Sequence, residues 1–318
     1  MIHNNLLEIK DDFDVFLFDA YGVFNFGKDV SPTAIDVMKQ LMSMGKKVSI
    51  VSNATGTSEQ AEASYAKKGL VKGEHYIELL TSGQYAYEDI QKGNLKVPGN
   101  KIYVAWTANF KKPEDKVPVL FKNSSYEIVE NIADADFAYV GIPQINYEDR
   151  LEIDDFLPEL KKIKDFGLVM VCANPDMKAL EEKGFVVRQG LVSAEYEKMG
   201  GKVVYYGKPA PGIFYRALET FGAPDKDRVL MIGDTDRTDI KGANLAGIKS
   251  CLVLDKGVTG DALAKENIKF NPKDINGYLA RKGIKADYLM EKITALPLFS
   301  NIENNISQHI SSLRDNKR

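Results

Sequence analysis

The sequence predicts an α/β protein built on a parallel sheet, with a second α/β unit inserted into it. Three observations carry this expectation. Short apolar runs alternate with helical runs toward both ends of the chain. The strand-like runs are apolar on both faces, as strands buried between two layers of helices must be. Between residues 98 and 187 the texture changes, and the alternation then resumes. The 318 residues suffice for two units, each with its own core.

The elements follow in order. "DVFLFDA" reads as the first strand. "SPTAIDVMKQLMSMG" is a helix: Ser31 is an N-cap, Pro32 fits the first turn, and Ile35, Met38, Leu41 and Met42 form an apolar stripe. "KKVSIVSNA" is the next strand. "TSEQAEASYAKKGL" is the next helix, starting at Thr57 or Ser58 and stopped by Gly69. After the insert come the strand "KVVYYGKP", the helix "APGIFYRALETFG", the strand "RVLMIGD", the helix "DIKGANLAG" and the strand "IKSCLVLD". The insert holds "KIYVAWT", "ADFAYVGI", the charged helical run "DDFLPELKKIKDF" and the strand "GLVMVCANPD". The domain reading is therefore a core of residues 1–97 and 188–284, an inserted unit 98–187, and a polar helical tail 285–318 whose "LPLF" can dock on the body.

The formal net charge of −3 offers no overall basic surface for nucleic acid. No apolar stretch approaches the ~20 residues of a membrane helix, and the polar, acidic opening "MIHNNLLEIKDDFD" is unlike a secretory leader. The expectation is a cytoplasmic protein. Cys172 and Cys251 lie in strand-like runs and read as two buried free thiols. His3, His75 and His309 are scattered, which argues against a histidine metal site or a Ser/His triad.

Four polar signals stand at strand ends, where parallel sheets bind ligands. Asp19 directly follows "VFLF"; a carboxylate there is costly to bury without compensation, and suits a nucleophile or a metal ligand. Ser52, Asn53 and Ala54, in "IVSNATG", precede a helix, where hydroxyl, amide and backbone N–H groups can hold an anion. Lys208, in "YYGKPAPG", can neutralise a phosphate or a carboxylate. Asp234, Asp236 and Asp239 cluster in "MIGDTDRTDIKGANLAG", a set of hard oxygen donors suited to Mg²⁺. Together they describe phosphoryl transfer on a carboxylate, by positioning and charge neutralisation.

In this order and spacing, Asp19, Ser52, Lys208 and Asp234 with Asp239 resemble the four motifs of the haloacid dehalogenase (HAD) superfamily. "CANPD", "GKPAPGIF" and "GDTDRTDIKGANLAG" resemble its class IIA branch, which includes NagD-like and p-nitrophenyl-phosphatase-like enzymes. The resemblance covers roughly residues 13 to 265. It implies a Rossmann-like core with a C2-type cap as the insert, and a phosphatase of a small phosphorylated metabolite working through an aspartyl phosphate. It implies Asp19 as nucleophile. It implies Mg²⁺ held by Asp19, the Tyr21 backbone carbonyl and Asp234, with Asp239 supporting. Ser52, Asn53 and Ala54 would bind the phosphoryl group, Lys208 would balance charge, and the cap with Asp176 would close over the substrate. It is compatible with a homodimer.

One position departs from the pattern. Family phosphatases carry a second aspartate two residues after the nucleophile, as the acid and base of the reaction; here that residue is Tyr21. An ordinary tyrosine pKa of ~10 makes it a poor base at neutral pH. Two other readings therefore stand beside the phosphatase: a phosphometabolite-binding protein with little or no turnover, and a dehalogenase, whose "DAYG"-like motif needs no second aspartate. The latter enzymes do not use Mg²⁺ and carry a different cap, whereas this chain keeps the carboxylate pair Asp234 and Asp239.

Overall fold

The computed structural model describes residues 2–3, 5–27, 29–106, 118–181, 184–255 and 257–293. Seven parallel strands form the main sheet. Their order is Ile2–His3, Tyr288–Met290, Lys249–Val253, Val229–Gly233, Val15–Phe18, Lys47–Ser52 and Glu78–Thr81. From Val15–Phe18 the chain first winds outward through Lys47–Ser52, and later returns on the other side through Val229–Gly233. The carboxyl end of Val15–Phe18 is thus the switch point of the sheet, where a crevice opens.

Helices cover both faces, which is why the central strand shows no alternation and Val15 to Phe18 are all buried. Phe16, Phe18, Val48 and Ile50 pack with Val37, Met38 and Leu41 of the helix Pro32–Ser43. Val15, Leu17 and Met231 pack on the other face with Ile213, Phe214 and Ala217 of Pro211–Glu219. The expected helix starts hold. Ser31 accepts from the Ala34 N–H at 3.3 Å. Thr57, rather than Ser58, caps the helix Ser58–Ala66, exchanging bonds with Gln60 in a capping box.

A second sheet of five parallel strands runs in the order Val203–Tyr205, Val169–Cys172, Phe137–Val140, Lys101–Ala105 and Glu127–Val129. The helices Leu157–Asp165 and Gln189–Lys198 cover one face through Leu160, Ile163, Val192 and Tyr196. The other face takes Ala86 and Ile90 from the helix Ser82–Gln91, which follows the last strand of the main sheet. An antiparallel hairpin, Lys178–Glu181 with Gly184–Val187, projects from this unit.

Two expectations need correcting. Sheet membership carries the inserted unit to Tyr205 instead of 187, because the run "KVVYYGKP" pairs with Val169–Cys172 and not with the main sheet. Within the expected helical tail, 288–290 form a strand that extends the main sheet beside Lys249–Val253; residues 294–318, with "LPLF", lie outside the described residues. Cys172 and Cys251 are buried and free. Among the described residues no helix is long and apolar enough to cross a membrane.

Candidate active site

Asp19 continues the central ladder one residue past its strand: its backbone N–H donates to the Ile232 carbonyl at 2.8 Å. This fixes the carboxylate at the carboxyl edge of the sheet, beside the end of Val229–Gly233. Asp234 follows that neighbouring strand. Its Oδ2 accepts from the Val258 N–H at 2.7 Å, at the start of the helix Val258–Lys265. Asp239 sits in the helical turn Asp236–Ile240, and its Oδ2 accepts from the Thr235 N–H at 3.0 Å. Carboxylate oxygens of Asp19, Asp234 and Asp239 lie within 4.8 Å of one another, all in buried residues. Gly22 makes this approach possible. Its φ is +80°, and a Cβ there would lie 2.3 Å from Asp234 Oδ2.

Lys208 stands against two of the three carboxylates. Its ammonium donates to Asp19 Oδ1 at 2.5 Å and to Asp239 Oδ1 at 2.7 Å, with the lysine only 1% exposed. Burial alone would lower the pKa of this lysine, but Asp19, Asp239 and Asp176 outweigh it and hold the ammonium charged. The carboxylates carry the opposite strain. Burial, then the Asp239 charge, pushes Asp19 well above the usual carboxylate range, against the pull of Lys208. Asp234 is raised to about 7, by burial first and Asp239 second. Three buried carboxylates facing one ammonium leave an excess of negative charge that a hard cation would neutralise. The donors are all oxygen, with no histidine or cysteine in the cluster, and they fit Mg²⁺.

The remaining expected residues separate. Ser52 and Ala54 line the cavity above Asp19. Ser52 Oγ accepts from the Ala54 N–H at 3.3 Å, which leaves its own hydrogen to donate. The side-chain amide of Asn53, expected at a phosphoryl group, makes its bonds to the protein. Its Oδ1 accepts from the Lys208 N–H at 2.8 Å, and its Nδ2 donates to the Lys208 carbonyl at 3.1 Å and to Asp176 Oδ1 at 2.8 Å. Asp176 thereby joins the inserted unit to the main sheet. Asp236, grouped with the metal cluster by sequence, turns away and accepts from Lys282 Nζ at 2.7 Å. Tyr21 borders the cavity and is 37% exposed; burial first, then Glu181, raises its phenol above the ordinary value.

The cavity measures about 530 Å³ and lies between the two units. Its sheet-edge wall carries Asp19, Tyr21, Ser52 and Asp234; the opposite wall carries Asp149, Asp176, Lys178, Glu181 and Arg188. Arg188 donates to Asp149 Oδ1 at 2.8 Å and Glu181 Oε1 at 2.7 Å. Sequence reading missed this ion-paired trio. Arg188 does end a strand and open a helix, the same signal that exposed the sheet-edge residues.

Comparison with known proteins points to one family. A model of haloacid dehalogenase-like hydrolases matches residues 16–117, and a HAD-hydrolase-like model matches 205–281. The chain is 36% identical over 97 residues to the dihydroxyacetone phosphatase of Corynebacterium glutamicum strain R, covering 30% of this chain and 34% of that protein. It is 26% identical over 267 residues to the 4-nitrophenylphosphatase of Schizosaccharomyces pombe, covering 79% of this chain and 87% of that one. The match thus spans about a third of the first relative and most of the second. A haloacid dehalogenase-like hydrolase from Brucella suis 1330 shares the fold, with a TM-score of 0.74 at 22% identity over 92% of this chain and 100% of that one.

Proposed function

Because the chain belongs to the haloacid dehalogenase-like hydrolases, in their class IIA branch, we propose that it is a Mg²⁺-dependent phosphatase of small phosphate monoesters, with Asp19 as the nucleophile. One observation carries the reading: the buried Lys208 ammonium bridges Asp19 and Asp239, while Asp19 and Asp234 of the same carboxylate cluster line a cavity sized for a small molecule. The names of the two curated relatives support monoester hydrolysis as the reaction class.

The residues divide the work. Only the ionised carboxylate can attack phosphorus, and Lys208 favours that form of Asp19 against burial and the Asp239 charge. It bonds Oδ1, so Oδ2 is the attacking oxygen. Ser52 donates its free hydrogen to a phosphoryl oxygen, and Ala54 lines the same pocket. Asn53 holds the Lys208 backbone in place and so acts on the phosphoryl pocket indirectly. Mg²⁺, held by Asp19, Asp234 and the Tyr21 carbonyl with Asp239 behind them, would supply positive charge opposite the transferring phosphoryl group. Asp19 forms a P–O bond as the ester oxygen leaves, and water then cleaves the aspartyl phosphate. Tyr21, with its phenol raised, cannot serve as the base of that second step at neutral pH.

The test is hydrolysis of 4-nitrophenyl phosphate with Mg²⁺, with chelator, and with Asp19→Asn. Turnover that needs both the metal and Asp19 is expected. Absence of turnover together with tight binding of a phosphometabolite would favour a binding protein, and metal-independent dehalogenation would favour a dehalogenase.

A further inference from the structure

The phosphatase reading leaves a gap: the residue that should protonate the leaving oxygen is Tyr21. Three carboxylates on the opposite wall of the cavity could fill it. Two are already paired. Asp149 and Glu181 each accept from the Arg188 guanidinium, at 2.8 and 2.7 Å. The third is different. Asp176 accepts at Oδ1 from the neutral Asn53 amide at 2.8 Å. Among the described residues, no lysine or arginine is ion-paired with it, and its Oδ2 has no hydrogen-bond partner.

The backbone holds Asp176 firmly. Its N–H donates to Asn174 Oδ1 at 3.0 Å, and its carbonyl accepts from the Gly190 N–H at 3.0 Å. Gly190 is required there, because a Cβ would come within 2.0 Å of the Pro175 carbonyl oxygen. The Asn53 amide then ties Asp176 to the Lys208 backbone, and the Lys208 ammonium ties the assembly to Asp19. Asp176 is therefore in fixed relation to the nucleophile, and both line the same cavity.

Resting on the phosphatase reading, we propose that Asp176 is the general acid and base of this enzyme, supplied by the inserted unit in place of the sequence position held by Tyr21. In the first step Asp19 Oδ2 bonds to phosphorus, the ester P–O bond breaks, and the Asp176 proton passes to the departing alkoxide. In the second step the Asp176 carboxylate takes a proton from water. That water oxygen bonds to phosphorus, the Asp19 P–O bond breaks, and phosphate leaves with Asp176 protonated again. Burial, the largest influence, raises the Asp176 carboxyl; Lys208, the Asn53 amide and Arg188 lower it, and Asp239 raises it. Asp19 and Asp234 also feel its charge. A carboxyl raised in this way is better suited to deliver a proton than an exposed one.

The experiment compares Asp176→Asn, Asp176→Glu and Asp19→Asn, with Mg²⁺, on glycerol phosphate and on 4-nitrophenyl phosphate across pH 4 to 9. An alkyl alkoxide needs the proton; nitrophenolate does not. Asp176→Asn should lose ~10²–10⁴-fold in kcat on the alkyl ester; on the aryl ester it should keep a rapid first release of nitrophenolate, one per enzyme, and then turn over slowly because the second step has lost its base. The fall in wild-type alkyl rate with rising pH should vanish in Asp176→Asn and return in Asp176→Glu. Loss of the rapid first release of nitrophenolate, or an alkyl pH limb that survives in Asp176→Asn, overturns the assignment. Should Asp176→Asn not fold, a wild-type alkyl limb absent from the aryl ester and shifted by Asp176→Glu decides the matter alone. Asp19→Asn separates the two claims: if it retains wild-type turnover, the phosphatase reading itself fails.

Discussion

Replacing Lys208 with methionine removes the ammonium while nearly keeping the volume of the side chain. In the native protein this cation, only 1% exposed, makes two charge-assisted bonds, at 2.5 Å to Asp19 and 2.7 Å to Asp239. Breaking a buried pair by deleting one partner costs roughly 3–5 kcal/mol, because the other charge is left uncompensated. For a protein of this size that is on the order of 10 °C in Tm. The sign of the pH dependence follows from the same geometry. A carboxyl raised in the folded state keeps its proton where the unfolded chain has lost it, so stability falls as pH rises through that interval. Asp19 is already raised with Lys208 present, and losing the ammonium raises it further. The destabilisation should therefore be small near pH 4 and grow toward pH 8. Calorimetry in chelator at both pH values measures it, and adding Asp239→Asn should recover part of the loss. A pH-independent loss below about 1 kcal/mol, within the range of an exposed ion pair, would refute the account of this lysine.

Three further outcomes are expected. Metal binding must displace the proton shared by the raised carboxylates, so Mg²⁺ affinity should rise by about tenfold per pH unit below the Asp234 value of about 7 and flatten above it; isothermal titration in two buffers of different ionisation enthalpy reads the protons released. Gly22→Ala forces a Cβ against Asp234 in a left-handed conformation and should weaken Mg²⁺ binding as well as stability; unchanged metal affinity would show that the Asp234 position is not set by this contact. Tyr21→Phe should reduce kcat far less than the ~10²–10⁴-fold expected for loss of a general acid, and a loss of that size would make the phenol the proton donor.

The gathering of carboxylates at the sheet edge was legible in the sequence because its signals are local. An aspartate directly after "VFLF" or "VLMIG" can only stand where the strand stops, and parallel strands stop together at one edge. The division of labour between neighbours was not legible. Ser52 and Asn53 look alike as anion donors, yet Asn53 turns to the Lys208 backbone because that segment lies beside it in the fold, 155 residues away in sequence. Asp236 fits the metal pattern as well as Asp239 does, and only the distant Lys282 draws it away. Sheet membership hides in the same manner: "KVVYYGKP" announces a strand but not which of two sheets it joins. The short run Tyr288–Met290 becomes a strand only because Lys249–Val253 offers it an edge. Asp149, Glu181 and Arg188 form an ion-paired trio only after the hairpin folds over the crevice.

The most direct measurement is an acid quench during turnover of 4-nitrophenyl phosphate labelled with radioactive phosphorus, in the presence of Mg²⁺. The account predicts label on the peptide that contains Asp19, stable in acid and released by hydroxylamine as an acyl phosphate is, and absent from Asp19→Asn. Turnover that persists in Asp19→Asn with no labelled peptide would contradict it.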